Sequence, residues 1–221
     1  MKIALLGAGK TGSKVSDLHK NTVIFNSKNK PTLEALADCD VLISFLTGDI
    51  FLTYIPLLIE AKIPVVTGST GFHWPRGIHQ ELVDKELIWI KAHNFSLGMN
   101  IVKSMIETLS KANELYDDIS YSIHDIHHKN KVDSPSGTAL SWKEWLGSEA
   151  TITAERTGDV IGYHHLEMST PLENIKITHE AKDRAIFASG ALWAAKKIRE
   201  DTSLPFGLNN FNSIVNKLLQ I

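Results

Sequence analysis

The feature that most constrains the fold of this 221-residue chain is a glycine loop close to its N-terminus. Gly7-Ala8-Gly9-Lys10-Thr11-Gly12 matches the pattern G-x-G-x-x-G and directly follows the apolar run Ile3–Leu6. In this pattern the first glycine makes a tight strand-to-helix turn, and the second lets a pyrophosphate approach the backbone. The third lets the helix pack closely on the strand, and the helix N-terminus offers N–H groups to the anion. The loop predicts a dinucleotide-binding domain of the Rossmann type.

Short apolar runs alternate with amphipathic stretches through the first hundred residues. Strands without polar alternation, separated by helices, are typical of a parallel sheet covered on both faces. The predicted strands are Ile3–Leu6, Thr22–Phe25, Val41–Phe45, Pro64–Thr67 and Leu87–Ile90, and the predicted helices lie near Lys10–Lys20, Thr32–Ala37, Ile50–Ala61 and Gly77–Lys85.

The pattern changes after Asn94, where a longer helix is followed by more polar, alternating strands. These features predict an α/β chain in which a Rossmann-like parallel sheet is joined to a C-terminal α+β domain for substrate binding and oligomerisation. We assign residues 1–96 with 198–221 to the dinucleotide-binding domain and residues 97–197 to the second domain. The predicted elements are helix Ser96–Asn113, strands Ile119–Ile126, Thr151–Arg156, Val160–Met168 and Ile175–Glu180, and helices Asp183–Lys197 and Phe206–Ile221.

The residues after the second predicted strand bear on the choice between NADH and NADPH. An acidic residue at this point binds the ribose hydroxyls of NAD, but the chain reads Phe25-Asn26-Ser27-Lys28-Asn29-Lys30, without an acid. Ser27, Lys28 and Lys30 could instead hold a 2′-phosphate through charge-assisted hydrogen bonds. The alternative is an exposed polar loop with no ligand, so the loop favours NADPH slightly and both cofactors stay open.

The most informative stretch runs from His124 to Ala139 and contains His127-His128-Lys129-Asn130-Lys131-Val132-Asp133-Ser134-Pro135-Ser136-Gly137-Thr138. A helix that starts near Ser136 offers free N–H groups to a carboxylate, and lysine supplies charge. Imidazole moves protons near neutral pH. The cluster fits a site that binds a small dicarboxylate and protonates it. Two alternatives are zinc ligation, for which no complete ligand pattern is present, and ordinary surface histidines.

Charge and cysteine content narrow the setting in which such a site works. The formal net charge is −2, which gives no broad attraction to nucleic acid or to an anionic membrane, so an anion must be held locally. Cys39 is the only cysteine, so no intrachain disulfide can form. With no signal peptide and no apolar run long enough to span a membrane, the chain is predicted to be cytoplasmic.

These residues resemble the 4-hydroxy-tetrahydrodipicolinate reductase (dihydrodipicolinate reductase) family of bacterial lysine and diaminopimelate synthesis, over nearly the whole chain. The segment from His127 to Ala139 resembles the family's signature almost residue for residue. Further similarity lies in Gly7–Gly12, Thr67–Phe72, Asn94–Asn100, Arg156–His164 and His179–Ala191.

The resemblance implies a role for each matching position. His127 would be the general acid/base, and Lys131 a second proton donor. The substrate carboxylates would be bound by His128, Lys131, Gly137 and Thr138. The pyrophosphate would lie on Gly7–Gly12, and the nicotinamide would be lined by Gly68, Ser69, Thr70, Ala92, His93, Asn94 and Phe95. NADPH or NADH would be the cofactor, no metal would take part, and the enzyme would be a homotetramer built through the sheet of the second domain.

The chain departs from the family at several points. It is short, it lacks the acidic residue after the second strand, Tyr163 precedes His164 where an acid is usual, and His93 replaces a small residue or proline. The histidines outside the signature, including His164 and His179, are interpreted mostly as surface or satisfied core groups. Two rival functions remain at this point: another NAD(P)-dependent dehydrogenase on the same scaffold, and a non-catalytic nucleotide sensor, which would have no use for a proton donor.

Overall fold

The computed structural model describes residues 1–219, and the chain divides into two compact units. Among the described residues, the first unit contains Met1–Ser96 and residues 184–219, and the second contains Leu97–Asp183. In chain order the elements are β1 (Ile3–Leu6), α1 (Gly12–Leu18), β2 (Thr22–Phe25), α2 (Leu33–Ala37), β3 (Val41–Ser44), α3 (Gly48–Glu60), β4 (Val65–Thr67), α4 (Ile78–Asp84), β5 (Ile88–Lys91), α5 (Leu97–Leu109), a 3₁₀ helix (Ser110–Glu114), β6 (Ser120–His127), α6 (Gly137–Leu146), β7 (Thr151–Arg156), β8 (Tyr163–Ser169), β9 (Asn174–Glu180), α7 (Ala185–Glu200), β10 (Gly207–Asn210) and α8 (Phe211–Leu219).

The first unit is built on a six-stranded sheet in the order β10-β5-β4-β3-β1-β2, and every pair in it is parallel. Strands β1, β3 and β4 are buried along their whole length, which explains why their sequences lack polar alternation. Because all strands run the same way, the loops after them meet at one edge. The strand order reverses beside β1, where ligands bind in such sheets. The predicted Rossmann-like fold is confirmed.

The C-terminal segment differs from its prediction as a single helix over residues 206–221. Gly207–Asn210 forms β10, and only then does α8 begin, while residues 220 and 221 lie outside the described chain. The strand pairs with β5, and the Gly207 N–H donates to the Leu87 carbonyl at 2.7 Å. The sequence Gly-Leu-Asn-Asn carries no strand signal of its own. These four residues form a strand because the backbone groups at the open edge of β5 need hydrogen-bond partners.

Helix α7 belongs to the first unit, so the predicted boundary at residue 198 moves to Arg184. The helix packs on α1, β3 and β4 through small residues, among them Ala188, Ala191 and Ala194, which are fully buried. A Cβ atom built on Gly190 would lie 1.7 Å from the Phe95 carbonyl oxygen, so the backbones of these two segments touch. The alanine-rich sequence of α7 indicates that the helix packs closely against another element. It does not indicate which of the two sheets that element belongs to.

The second unit contains a four-stranded sheet in the order β7-β6-β8-β9, in which β6 and β7 are parallel and the other pairs antiparallel. Helices α5 and α6 pack on one face, around a core that includes Ile123, Trp142 and Leu166. The α+β prediction is confirmed. Within residues 1–219, none of the helices combines the length and apolar character that crossing a bilayer requires.

Candidate active site

The glycine loop of the first unit has the geometry that its sequence predicts. Gly7 has a φ of +92°, which favours glycine at the turn that leaves β1. A Cβ on Gly12 would lie 2.0 Å from the Gly7 carbonyl oxygen, whereas a Cβ on Gly9 would have no protein atom within 4 Å. The first and third glycines therefore close the turn, and the second leaves open backbone. This is the cradle that a pyrophosphate requires, and the residues present fit a dinucleotide.

The loop after β2 is a turn closed by its own asparagines. The Asn26 Oδ1 accepts the N–H groups of Lys28 (2.9 Å) and Asn29 (3.0 Å), and the Asn29 side chain donates to the Ile24 carbonyl at 3.0 Å. Ser27 and Lys28 are exposed at the tip of this turn. Because β2 neighbours β1, the turn lies at the sheet edge that carries the glycine loop.

A cavity of about 170 Å³ lies where β4, β5 and β10 end. It joins predicted residues, namely Ser69, Thr70, Ala92 and His93, to residues that sequence reasoning missed. Those are Gly71, Phe72, Trp74, Lys91 and Asn210. Asn210 could not be found from sequence because β10 was not predicted, while the Lys91 ammonium lies 5.5 Å from the centre of the Trp74 ring.

Three of the predicted nicotinamide-lining residues contribute chiefly to the fold. The Phe95 side chain is buried, with its ring 4.8 Å from that of Phe211 and 6.1 Å from that of Phe45. A Cβ on Gly68 would lie 2.6 Å from the Phe45 ring, so glycine is needed there for packing. The Asn94 Oδ1 accepts the Ser96 N–H at 2.8 Å. Because the Phe95 side chain is buried in the core, only the backbone of this residue can contact a ligand.

In the second unit, His127 is buried at the end of β6 among other histidines. Its ring centre lies 5.0 Å from that of His164, which in turn lies 6.5 Å from that of His179. A Cβ on Gly162 would lie 3.2 Å from the His127 Nε2, so this glycine leaves space beside the ring. The Nδ1 atoms of His127, His164 and His179 are buried, and no hydrogen-bond partner occurs for them in the described structure. The interpretation as a surface or satisfied group is therefore wrong for His164, which is buried, whereas His179 is half-buried.

The loop between His127 and α6 brings the predicted anion-binding groups together. The Lys131 Nζ donates to both carboxylate oxygens of Asp133, at 2.7 and 2.9 Å, and the Gly137 N–H donates to the same carboxylate at 3.3 Å. His128 is half-buried and its carbonyl accepts the Lys131 N–H at 3.0 Å. Thr138 is half-buried in the first turn of α6. A carboxylate can thus interact with Lys131 and the start of α6 together.

A buried ion pair fixes this loop. The Arg156 Nη1 donates to the Asp125 Oδ1 at 2.7 Å, and the other oxygen of Asp125 accepts the Ser136 N–H at 2.6 Å. The Arg156 Nη2 donates to the Asp133 carbonyl at 2.5 Å. The Ser136 hydroxyl caps α6 by accepting the Ala139 N–H at 3.1 Å. Asp125 and Arg156 thus tie β6 and β7 to the loop. Sequence reasoning assigned no role to either residue. Asp125 lies in the stretch from His124 to Ala139 and Arg156 in a second similar segment, but their pairing across 31 positions is visible only in the fold.

Burial controls the protonation of this cluster. It lowers the pKa of His164 to about 3, and the neighbouring His127 adds to the effect. Burial also lowers the pKa of His127, with the charge of Asp125 acting in the opposite direction. Burial raises the pKa of Asp125, but hydrogen bonds from Ser136 and Arg156 outweigh it, so this pKa lies below its ordinary value. The free site therefore holds neutral imidazoles beside an ionised Asp125–Arg156 pair at neutral pH.

Asp125, His127 and His164 form a cluster whose potential ligand atoms all lie within 4.8 Å of one another. Both oxygens of Asp125 already accept hydrogen bonds, one of them from the cationic Arg156. A divalent cation would have to displace that guanidinium. The donor set therefore suits proton transfer better than metal binding.

Comparison with known proteins settles the family. Residues 1–95 match the description "Dihydrodipicolinate reductase, N-terminus", and residues 98–211 match "Dihydrodipicolinate reductase, C-terminus". The chain belongs to the dihydrodipicolinate reductase family. The family resemblance found in the sequence is confirmed, and with it the oxidoreductase class; a nicotinamide cofactor is the one that this family's N-terminal domain implies.

Individual members of the dihydrodipicolinate reductase family are similar over almost their whole length. The 4-hydroxy-tetrahydrodipicolinate reductase of Christiangramia forsetii is 33% identical, with 92% of this chain and 95% of that protein covered. The one from Alkaliphilus metalliredigens is 28% identical, with 97% and 99% covered. The fold is similar to that of a dipicolinate-bound dihydrodipicolinate reductase from Paenisporosarcina sp. TG-14, with a TM-score of 0.74, 20% identity and coverage of 97% and 99%.

Proposed function

We propose that this chain reduces 4-hydroxy-tetrahydrodipicolinate to tetrahydrodipicolinate in lysine and diaminopimelate biosynthesis. The observation that carries the proposal is His127, a buried imidazole at the end of β6, followed directly by the loop in which Lys131 and the Gly137 N–H meet a carboxylate. The relatives named 4-hydroxy-tetrahydrodipicolinate reductase support the substrate assignment.

The second unit provides the binding groups that such a substrate needs. One carboxylate of the substrate binds Lys131 and the N–H groups at the start of α6, and His128 and Thr138 complete the dicarboxylate site. The ten-residue helix α6 adds the partial positive charge of its N-terminus. The Asp125–Arg156 pair keeps this geometry without using the groups that face the ligand.

The same residues account for the proton transfer. The reaction requires loss of water from the substrate, hydride addition to the resulting conjugated imine, and protonation of the enamine carbon. A dihydronicotinamide held by the glycine loop would supply the hydride, and residues of the second unit would supply the proton. His127 is neutral in the free enzyme because burial lowers its pKa. The negative charge of a bound dicarboxylate raises the pKa of the ring, which is then able to hold and deliver a proton, with Lys131 as the second donor.

We propose NADPH as the preferred cofactor. The dinucleotide would lie along Gly7–Gly12, with its nicotinamide in the region of Gly68–Thr70 and Ala92–Asn94. The exposed turn with Ser27 and Lys28 supplies hydroxyl and ammonium groups, and no carboxylate, for the adenosine ribose. We expect Lys28→Ala to raise KM for NADPH about tenfold and to leave KM for NADH unchanged, since one charge-assisted bond to phosphate is worth about 1.5 kcal/mol. Equal effects on both nucleotides would refute this reading.

We further propose a cytoplasmic homotetramer assembled through the sheet of the second unit. One face of that sheet packs on α5 and α6, while the other carries half-exposed polar side chains such as His124, which pairs with Thr153 at 2.8 Å, and His165, which pairs with Thr178 at 2.9 Å. Such a face suits a polar subunit interface. Light scattering should give about 98 kDa, four times the 24.5 kDa of one chain.

A coupled assay tests the function. The preceding synthase generates the substrate from pyruvate and aspartate semialdehyde, and oxidation of NADPH and of NADH is followed separately on adding this protein. We expect oxidation that depends on the synthase and is faster with NADPH. A folded protein that binds a dinucleotide but oxidises neither would contradict the proposal.

A further inference from the structure

Asp133 occupies the groups that the proposed function assigns to the substrate. Its carboxylate binds the Lys131 Nζ through both oxygens, at 2.7 and 2.9 Å, and the Oδ2 also accepts the Gly137 N–H at 3.3 Å. A single internal carboxylate thus joins a cationic side chain to the start of a helix, as a bound carboxylate ligand would.

The backbone of Asp133 is fixed, whereas its side chain is free to turn away. The Asp133 carbonyl accepts a hydrogen bond from Arg156, and Ser136, three residues later, is held by the buried Asp125. In contrast, the Asp133 side chain is 54% exposed and its ion-pair partner Lys131 is 24% exposed. Rotation of one exposed side chain would release both donors without moving the loop. These two anchors hold the backbone that follows the Asp133 side chain, and the bond from the Lys131 N–H to the His128 carbonyl holds the backbone that precedes it.

We propose that Asp133 is an internal stand-in for the substrate. In the free enzyme its carboxylate holds Lys131 and the start of α6 in the arrangement that binds a carboxylate, and the incoming ligand displaces it. The exchange replaces one lysine–carboxylate pair by another, so it contributes little net free energy at that point. Affinity then depends on the rest of the ligand, which favours a dicarboxylate over a single carboxylate group. This inference rests on the proposed function, which places the substrate on Lys131 and Gly137.

Calorimetric titration of dipicolinate into the full-length protein tests the displacement. We expect Asp133→Asn to lower Kd for dipicolinate about 1.4- to fivefold, because an exposed ion pair contributes roughly 0.2–1 kcal/mol and the variant no longer has to break it. Asp118→Asn is the matched control: it removes the same charge from an exposed position two residues before β6, a strand that itself extends about 23 Å from its first residue to His127. Its Kd should equal that of the wild type.

The direction in which Asp133→Asn changes the Kd for dipicolinate distinguishes a stand-in for the substrate from a residue that only stabilises the loop. If Asp133 served only to keep the loop in shape, Asp133→Asn would weaken dipicolinate binding and lower Tm. Unchanged or weaker binding in this variant therefore overturns the proposal. Asp133→Ser, which keeps a polar group of smaller size, gives the same comparison should the asparagine variant fold poorly, and the same tightening is expected.

The wild-type arm distinguishes failure of this inference from failure of the proposed function. Turnover in the coupled assay together with dipicolinate binding upholds the function, and the Asp133 variants alone then decide the stand-in. A wild-type protein that neither turns over the substrate nor binds dipicolinate contradicts the function, and the stand-in falls with it.

Discussion

The buried His164 makes a quantitative prediction about stability and pH. Its pKa is about 3 in the folded chain, against an ordinary value of 6.5 that applies when the chain unfolds. Below pH 6.5 the unfolded state therefore binds a proton that the native state does not, so stability is lost as pH falls and is unaffected above that pH. At about pH 5, which is about 1.5 pH units below the pKa of the unfolded chain, His164 lowers the free energy of unfolding by about 2 kcal/mol. This loss approaches about 5 kcal/mol near pH 3.

Urea unfolding followed by circular dichroism, at about pH 8 and about pH 5, measures this loss. The matched variant is His164→Gln, whose side-chain amide can replace the contact between the His164 Nε2 and the Ser136 hydroxyl at 3.4 Å but does not titrate. Between the two pH values the wild type should lose about 2 kcal/mol more than the variant. The comparison cancels the other titrating groups and any constant cost of the substitution. Equal losses in the two proteins would show that His164 is not kept neutral by burial.

The remaining predictions concern the two binding regions. His127→Ala should lower kcat about 10²–10⁴-fold and leave the Kd for NADPH unchanged, because the imidazole is expected to act on the substrate. Single-turnover kinetics and nucleotide titration check this. An unchanged kcat would remove His127 from the mechanism. Gly12→Ala should lower the free energy of unfolding by about 1–3 kcal/mol or more, since the new Cβ would lie 2.0 Å from the Gly7 carbonyl oxygen. Gly9→Ala, whose Cβ would meet no protein atom within 4 Å, should keep the free energy of unfolding unchanged and lower the affinity for NADPH about tenfold or more. Chemical denaturation and nucleotide titration of both variants check this pair. A stable Gly12→Ala with weak NADPH binding, or an unstable Gly9→Ala with normal binding, would contradict these roles.

Local geometry explains which parts of the fold could be predicted. A glycine turn has steric requirements that act within six residues, and Gly7 and Gly12 meet them in the structure. Fully buried parallel strands need continuous apolar sequence, so β1, β3 and β4 could be found from the chain alone. In contrast, β10 exists because β5 offers an unpaired edge, and that edge is defined only once the sheet has formed.

The same distinction applies to the histidine site. The order of residues from His127 to Thr138 by itself determined that an imidazole, a lysine and a helix start lie close together, because they are neighbours along the chain. Only the tertiary structure decided that Asp125 and Arg156, 31 positions apart, anchor this loop, and that His164 lies against His127. Pairing of β6 with β7 and β8 brings these residues together, and the burial that follows sets their pKa values, because desolvation depends on what surrounds a group and not on its neighbours in sequence.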